Sequence, residues 1–583
     1  MPNLLAMSFE GELAPSFDLR CLAEGRRLPD GWGLGYYPGG EPSAVVLKEP
    51  APPQGSIRGQ LARAWEHLES SLFALHIRTA TWGAISDANT QPFVRSWGRR
   101  DWMMAHAGSL ASKLVTDDKG VFEPVGSTDT EQIFCHLMNK LAEKGWRSLL
   151  EADLQEVRTW LDLLNDHGQL TIALTDGRDL LAYADRKGVP LNLGTIAPPY
   201  ERVAFGNDDL LVDLSVRGTK ARKGVVVCTD PLGAPDDKAA APAWTTIAPG
   251  HLVLVRQGAV VADLGPPAPG PQASLGHLVS ASVAARALSR PAPATITKWR
   301  VKHRTSYKYA KPVERSSHVI RLTPVADRLQ EVLEHDVKVS VAGQVKDYDD
   351  VFGNRARRLV IDTPFSELVI EATSLVEVRD IDPLDFRPLK ARSTIPLVWM
   401  PWQRQILAPF LLPQELPETQ LEELTEYAMS FVKRNDFDLL DTLIDINATI
   451  FKEYEYRQGS TTVFTTPFEV YTNRRGVCQD FTNLFICLAR LLGVPARYVC
   501  GYIYTGPKNP NQVQSEASHA WVQLYLPEAG WKGFDPTNGI LTQTNHIRVA
   551  VGRNYIDATP TSGTIYVGGG PETLEVSVTV EPA

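Results

Sequence analysis

Residues 263–296 carry two Pro/Ala/Gly-rich patches, GPPAPGP near the start and RPAPA near the end, around a short alanine-rich run of helical composition. Proline fixes φ and has no N–H, so such patches sit inside neither strands nor helices and read as semi-extended linker. A chain divided this way must fold as separate units, and 583 residues exceed what one hydrophobic core organises. The expected boundaries are a domain over 1–262, the linker 263–296, a β-rich module over 297–381 and a mixed domain over 382–583.

Before the linker, short apolar runs such as LFALHIRTA, KGVVVCTD and HLVLVRQG are bounded by turn residues, as strands are. TEQIFCHLMNKLAE and LLEADLQEVRTWLDLLNDH between them have helical apolar spacing. Together they predict a layered α+β domain. After the linker, KWRVKHRTSYKYA, HDVKVSVAG, RRLVIDTP and ELVIEATSLVEV alternate as short strands do and predict a β-sandwich lead-in. Helical runs at 418–435 and 439–453 then lead into a mixed region expected to end in three or four strands. The fold class is therefore multidomain α+β.

A net charge of −9 and a pI near 5.8 argue against a nucleic-acid or anionic-membrane binder. No run is long and apolar enough for a membrane helix, and no secretory signal is visible. Six cysteines are too sparse and irregular for a disulfide framework, and no CxxC pair or zinc-like spacing occurs. These features point to the cytoplasm and reduced thiols. No cofactor motif is present, and the acidic DYDD at 347–350 lacks an EF-hand pattern and reads as a solvated turn.

NRRGVCQDFTNLFICLARLLGVPARYVC carries the most chemistry. Phe481, Leu484, Phe485, Leu488 and Leu491 recur at helical spacing before Gly493 and Pro495 stop the helix. Cys478 then starts that helix, where unpaired N–H groups and the dipole favour a thiolate. Cys487 and Cys500 read as core thiols. A nucleophilic cysteine needs a base, and the base an orienting group. ASHAWVQLYL offers His519 on an alternating strand, and after the turn PEAG, GWKGFDPTNG offers Asp535 on the next. A hairpin of that length can bring the two together as part of a Cys-His-Asp set.

GVCQDF, SHAWVQLYLPEAGWKGFDPTNG and HIRVAVGRNY together resemble the bacterial transglutaminase-like superfamily, and HRTSYKYA and DVFGN resemble its N-terminal region. The resemblance implies a papain-like arrangement: Cys478 attacks a carbonyl, His519 moves the proton and Asp535 orients His519. It implies an acyl-enzyme released to water or to an amine, with a peptide or protein amide as substrate. For the oxyanion, the backbone N–H of Cys478 and the side chain of Gln458 are the candidate donors. The polar loop 504–517 before His519 is the candidate specificity element.

The N-terminal strings LLAMS, GWGLGYY, HIRTATWG, NTQPF, AHAGSL and STDTEQ, in that order, resemble the class II glutamine amidotransferase domain, an αββα fold built on an N-terminal cysteine nucleophile. Here Pro2 stands at the nucleophile position, and Ala107 stands where that family's AHNG motif has its oxyanion-hole asparagine. Cys21 lies outside the motif and does not substitute. Arg78 and Asp129 match the residues that hold the carboxylate and amine of glutamine. The resemblance implies a domain that has lost glutaminase chemistry, in which Arg78 and Asp129 either still bind an amino-acid-like ligand or are remnants in a structural module. Two other readings stay open: a non-catalytic binding scaffold, and a glutamine-dependent amidotransferase with a displaced nucleophile.

Overall fold

The computed structural model describes residues 4–20, 28–40, 42–65, 68–81, 83–111, 120–266, 296–379, 393–504, 506, 518–527 and 529–583. Pro2, Cys21, most of the linker and nearly all of the 504–517 loop lie outside the described residues. The chain forms two compact units, Met1–Ala284 and Ala285–Ala583.

The first unit is built on two antiparallel sheets. One has seven strands, in the order Ala243–Thr246, Asn192–Ile196, Gly224–Cys228, Leu4–Leu13, Ser70–Arg78, Gly31–Tyr36 and Val45–Glu49. The other has six, in the order Ala259–Leu264, Leu252–Arg256, Asp179–Tyr183, Thr171–Thr175, Arg100–Ala107 and Phe93–Trp97. Strand alternation sends Leu4, Ala6, Leu72, Ala74, Val225 and Val227 of the first into one core with Met103, Ala105, Ala173, Ala182 and Val253 of the second. Helices Asp129–Lys144 and Leu154–Asp166 cover the outer face of the six-stranded sheet with Ile133, Leu137, Leu141, Val157, Leu161 and Leu164. Across the outer face of the seven-stranded sheet lie one short helix, Ile57–Ala64, and a three-stranded sheet. Phe17, Phe205, Leu210 and Val212 supply the apolar side of that small sheet, so strands roof a face for which helices were expected.

The second unit starts with a single 25-residue strand, Ile296–Ile320. Its first half pairs with Phe365–Arg379 on one side and Glu572–Pro582 on the other. Its second half pairs with Arg355–Ile361 and Thr561–Gly568. Register shifts between Lys308 and Val313 mark the change of partners. Tyr309, Val313, Ile320, Leu359, Leu368 and Ile370 pack into one core drawn from both halves, so the sheet folds over on itself. The expected division at 382 therefore fails for the end of the chain: residues 561–582 belong to the sheet that opens the unit. Their pairing spans the whole unit, which local alternation does not encode. DYDD is likewise no solvated turn. Asp347–Asp349 ends the strand Gln344–Asp349, and Asp350 accepts the N–H groups of Phe352 and Asn354 at 3.0 Å each and pairs with Arg321 at 3.1 Å.

The remaining residues form an antiparallel sheet in the order Ile540–Leu541, Gly530–Asp535, His519–Leu526, Ala496–Ile503 and His546–Gly552. Helix Cys478–Leu491 packs on it through Phe485 against Phe534, with helices Glu418–Arg434 and Leu439–Glu453 nearby. Trp299, Val301, Val376 and Val578 of the folded-over sheet share a core with Tyr502, Ile547 and Val549. Arg548, paired to Asp327 at 2.7 Å through both terminal nitrogens, and Asn354, bonded to both backbone groups of Val551, fasten the two sheets further.

Candidate active site

The segment before Cys478 is fixed residue by residue. Arg474 follows helix Pro467–Asn473 in the left-handed region, with φ of 51°, and its guanidinium is buried among three tyrosines. It donates to the Tyr427 hydroxyl at 2.9 Å and the Tyr454 hydroxyl at 2.8 Å, and it lies 4.8 to 5.1 Å from the ring centroids of Tyr454, Tyr427 and Tyr471. Arg475–Gly476 then pairs in parallel with Glu455–Tyr456. Gly476 has to be glycine, because a Cβ there would meet the Asp480 Cβ at 2.8 Å. Asp480 accepts the Val477 N–H at 2.8 Å and the Thr461 hydroxyl at 2.6 Å, closing the first turn of the helix that Cys478 begins.

Cys478 is half-buried, whereas Cys487 and Cys500 are buried in the core and burial pushes both thiols up to about 12. His519 opens its strand at 1% exposure, and its Nε2 lies 2.9 Å from the Asp535 Oδ2. The other ring nitrogen, Nδ1, is buried and has no hydrogen-bond partner, which leaves it for the neighbouring Cys478. Burial disfavours a charged His519, but the Asp535 carboxylate and then the Cys478 thiol outweigh it, and the ring is pushed up to about 10. Burial acts on Asp535 in the opposite sense to His519 and His546, and the two histidines hold the carboxyl well below the usual carboxylate range.

Asp535 ends its strand in the turn DPTNG, which locks it. Its Oδ1 accepts the backbone N–H of Thr537 at 3.0 Å and of Asn538 at 3.2 Å, while its Oδ2 accepts the Asn538 amide at 2.7 Å. The same Oδ2 meets the His546 Nε2 at 3.2 Å, and the His546 Nδ1 receives the Gln543 N–H at 3.2 Å. The His546 Nδ1 also lies 2.8 Å from the Asn545 Oδ1. Burial holds the His546 pKa below its ordinary value. His519, Asp535 and His546 are also, among the described residues, a trio with metal-ligand spacing, their donor atoms all within 4.8 Å. Each of these donors is already engaged with the others in the hydrogen bonds just described.

Gln458 is exposed on the turn after Tyr456. Tyr456 itself lies close to Cys478: burial and then the thiol push its hydroxyl up to about 12. Sequence reasoning assigned a role to neither Tyr456 nor His546. The signal for the first lay two positions before Gln458. That for the second opened the motif HIRVAVGRNY.

In the first unit, Arg78 ends strand Ser70–Arg78 at 4% exposure and donates to the Ala84 carbonyl at 3.2 Å. Asp129 begins its helix, accepting the Leu110 N–H and the Thr130 N–H at 2.9 Å each. Two buried histidines lie between them. His106 is close to Asp129, and His76 neighbours both His106 and Arg78. Burial, His106 and Arg78 press His76 down to about 3, and its Nδ1 has no partner. Ala107 is packed into the inter-sheet core and offers no side-chain donor.

Residues 1–276 match the family described as glutamine amidotransferases class-II. Residues 299–377 match the bacterial transglutaminase-like N-terminal region, and 426–536 the transglutaminase-like superfamily. An uncharacterized protein of Mycobacterium tuberculosis is 32% identical over 301 residues, which cover 49% of this chain and 93% of that protein. Escherichia coli YafJ, provisionally named a glutamine amidotransferase, is 30% identical over 227 residues, covering 39% of this chain and 84% of YafJ. A crystal structure from Cytophaga hutchinsonii, provisionally named a cysteine protease, is 22% identical with a TM-score of 0.41, covering 50% of this chain and 93% of that one. The chain thus joins a class II glutamine amidotransferase region, residues 1–276, to transglutaminase-like regions at residues 299–377 and 426–536.

Proposed function

We propose that the second unit is a thiol enzyme that cleaves or transfers an acyl group at a peptide or isopeptide amide through Cys478, His519 and Asp535. The observation that carries this reading is a buried imidazole held by Asp535 on one nitrogen, with its other nitrogen left for the thiol at a helix N-terminus. In the first step the Cys478 Sγ, as thiolate, bonds to the amide carbon and the C=O electron pair moves onto oxygen. The backbone N–H of Cys478 faces that oxyanion, with Tyr456 and Gln458 as side-chain donors beside it. The imidazolium of His519 gives its Nδ1 proton to the departing amine, the C–N bond breaks and a thioester remains. Water then loses a proton to Nδ1, its hydroxide adds to the thioester carbon, and the thiolate leaves with the acid released. An amine in place of water gives transamidation by the same steps.

The first unit fits a binding domain without glutaminase chemistry, since Pro2 and Ala107 stand where that chemistry needs a thiol and an amide. Arg78 and Asp129 remain suited to the carboxylate and ammonium of an amino-acid-like group. A reducing compartment such as the cytoplasm suits the five described cysteines, all free. Among the described residues no helix is long and apolar enough to cross a membrane.

The test is mild iodoacetamide treatment near neutral pH, read by mass spectrometry. Cys478 is expected to be alkylated ahead of the other cysteines, and more slowly in His519→Ala. Absence of preferential labelling in folded protein would sink the catalytic reading and favour a binding scaffold.

A further inference from the structure

A recess with an empty volume of about 710 Å³, open to solvent, lies beside the catalytic pair, between the thiol-domain sheet and the folded-over sheet. Trp521 and His546 form its inner wall. The ring centroid of Trp521 is 5.8 Å from that of His519 and 5.2 Å from that of His546, so the recess is one side chain removed from the imidazole that faces Cys478.

Its lining is chemically one-sided. Arg379, Lys532 and Arg548 contribute to it, with the polar side chains of Gln523, Thr542, Gln543 and Thr544, and among the described residues no carboxylate lines it. Arg548 and Arg379 do have acidic partners, Asp327 at 2.7 Å and Glu331 at 2.9 Å, both outside the lining. Arg497 has none. Its guanidinium stacks 4.3 Å from the Trp531 ring centroid and donates to Gln523 Oε1 at 2.9 Å, both of them lining residues. Burial, and then the nearby Arg548, lower its pKa to about 10 against the pull of Asp327, so two arginines here share one carboxylate. A half-buried cation that shares its carboxylate with a second arginine is under-compensated, and an anion in the recess offsets that cost.

A second observation points the same way. Trp521 is fully buried, and its Nε1–H has no hydrogen-bond partner among the described residues. An indole N–H is a donor only, and left unpaired in a protein interior it forfeits a hydrogen bond that nearly all buried donors make. Here the orphaned donor belongs to a side chain that lines an acid-free, cationic recess.

We propose that this recess binds a small carboxylate, with the Trp521 indole N–H as a donor and Arg497 and Arg548 supplying the positive field. The carboxylate belongs either to a free small acid or to an acidic side chain of a peptide. The site stands whether or not Cys478 performs the chemistry proposed above, because nothing in its recognition involves the thiol.

The test is to follow the indole N–H resonances of the 15N-labelled full chain, one for each of 13 tryptophans, and to assign Trp521 by its loss in Trp521→Phe. Succinate and a short glutamate-containing peptide are titrated in turn, with sodium chloride of matched ionic strength as control. Saturable movement of the Trp521 resonance with succinate supports the free acid, and stronger response to the peptide supports the side chain. In Arg497→Gln the affinity is expected to fall by about tenfold or more. A Trp521 resonance that moves for neither probe, or that moves equally with chloride, overturns the proposal. Because the first reading uses the wild-type chain, a variant that folds poorly does not remove the test.

Discussion

Arg474 occupies a position that few residues other than glycine adopt, and the three tyrosines around its guanidinium account for that choice. Replacing it by methionine keeps the length but removes two hydrogen bonds to a charged donor and the ring contacts. The expected loss is about 3 kcal/mol in urea unfolding, together with slower alkylation of Cys478, since the same residue sets the approach to the helix. At His519 the sign of the pH dependence follows from its raised pKa. Its contribution to stability is complete below about pH 6.5, the ordinary histidine value, and is lost as pH rises through about 10. Asp535 is depressed, so its share is complete above about pH 4 and is lost on acidification. A 13C-histidine titration is expected to place the His519 midpoint near 10. In Asp535→Asn burial remains without its counter-charge, and the midpoint should drop below 6.5; an unmoved midpoint would show that Asp535 is not what holds the ring charged.

At the scale of elements, the readable parts were those whose pattern is local. Phe481, Leu484, Phe485 and Leu488 mark one face of a helix, and the helix Cys478–Leu491 carries all four buried. The hairpin His519–Leu526 and Gly530–Asp535 was marked by its own alternation and turn. His546 escaped notice because it reaches Asp535 through sheet order, from an edge strand paired to Ala496–Ile503 rather than to the hairpin. Tyr456 escaped because its neighbourhood with Cys478 depends on a two-residue parallel bridge. The strands 561–568 and 572–582 alternate weakly, for most of their side chains are exposed. Val578 is the exception at 3% exposure, in the core with Trp299 and Ile547. Val578→Ala is expected to cost about 2 kcal/mol, far above the usual effect of a surface change, measured by chemical denaturation. A cost below 0.5 kcal/mol would mean that the last strand is not part of that core.

For the whole molecule, each unit has its own apolar clusters and its own sheets. Calorimetry is expected to show two transitions, with the preferential labelling of Cys478 lost in step with only one of them. If Arg78 and Asp129 still grip an amino-acid-like group, glutamine or a γ-glutamyl peptide raises the midpoint of the other transition in wild type and not in Arg78→Ala. No rise in wild type would leave the first unit without that ligand. The 25-residue strand Ile296–Ile320 bears on how the second unit comes into being. One of its edges is occupied by strands that follow Asp535 in the chain, so until those strands are made that edge stays bare. Cys478, His519 and Asp535 are all translated before the edge is covered. A transcript cut short after Asp535 would therefore yield a polypeptide that holds Cys478, His519 and Asp535 but lacks the strands that seal its sheet.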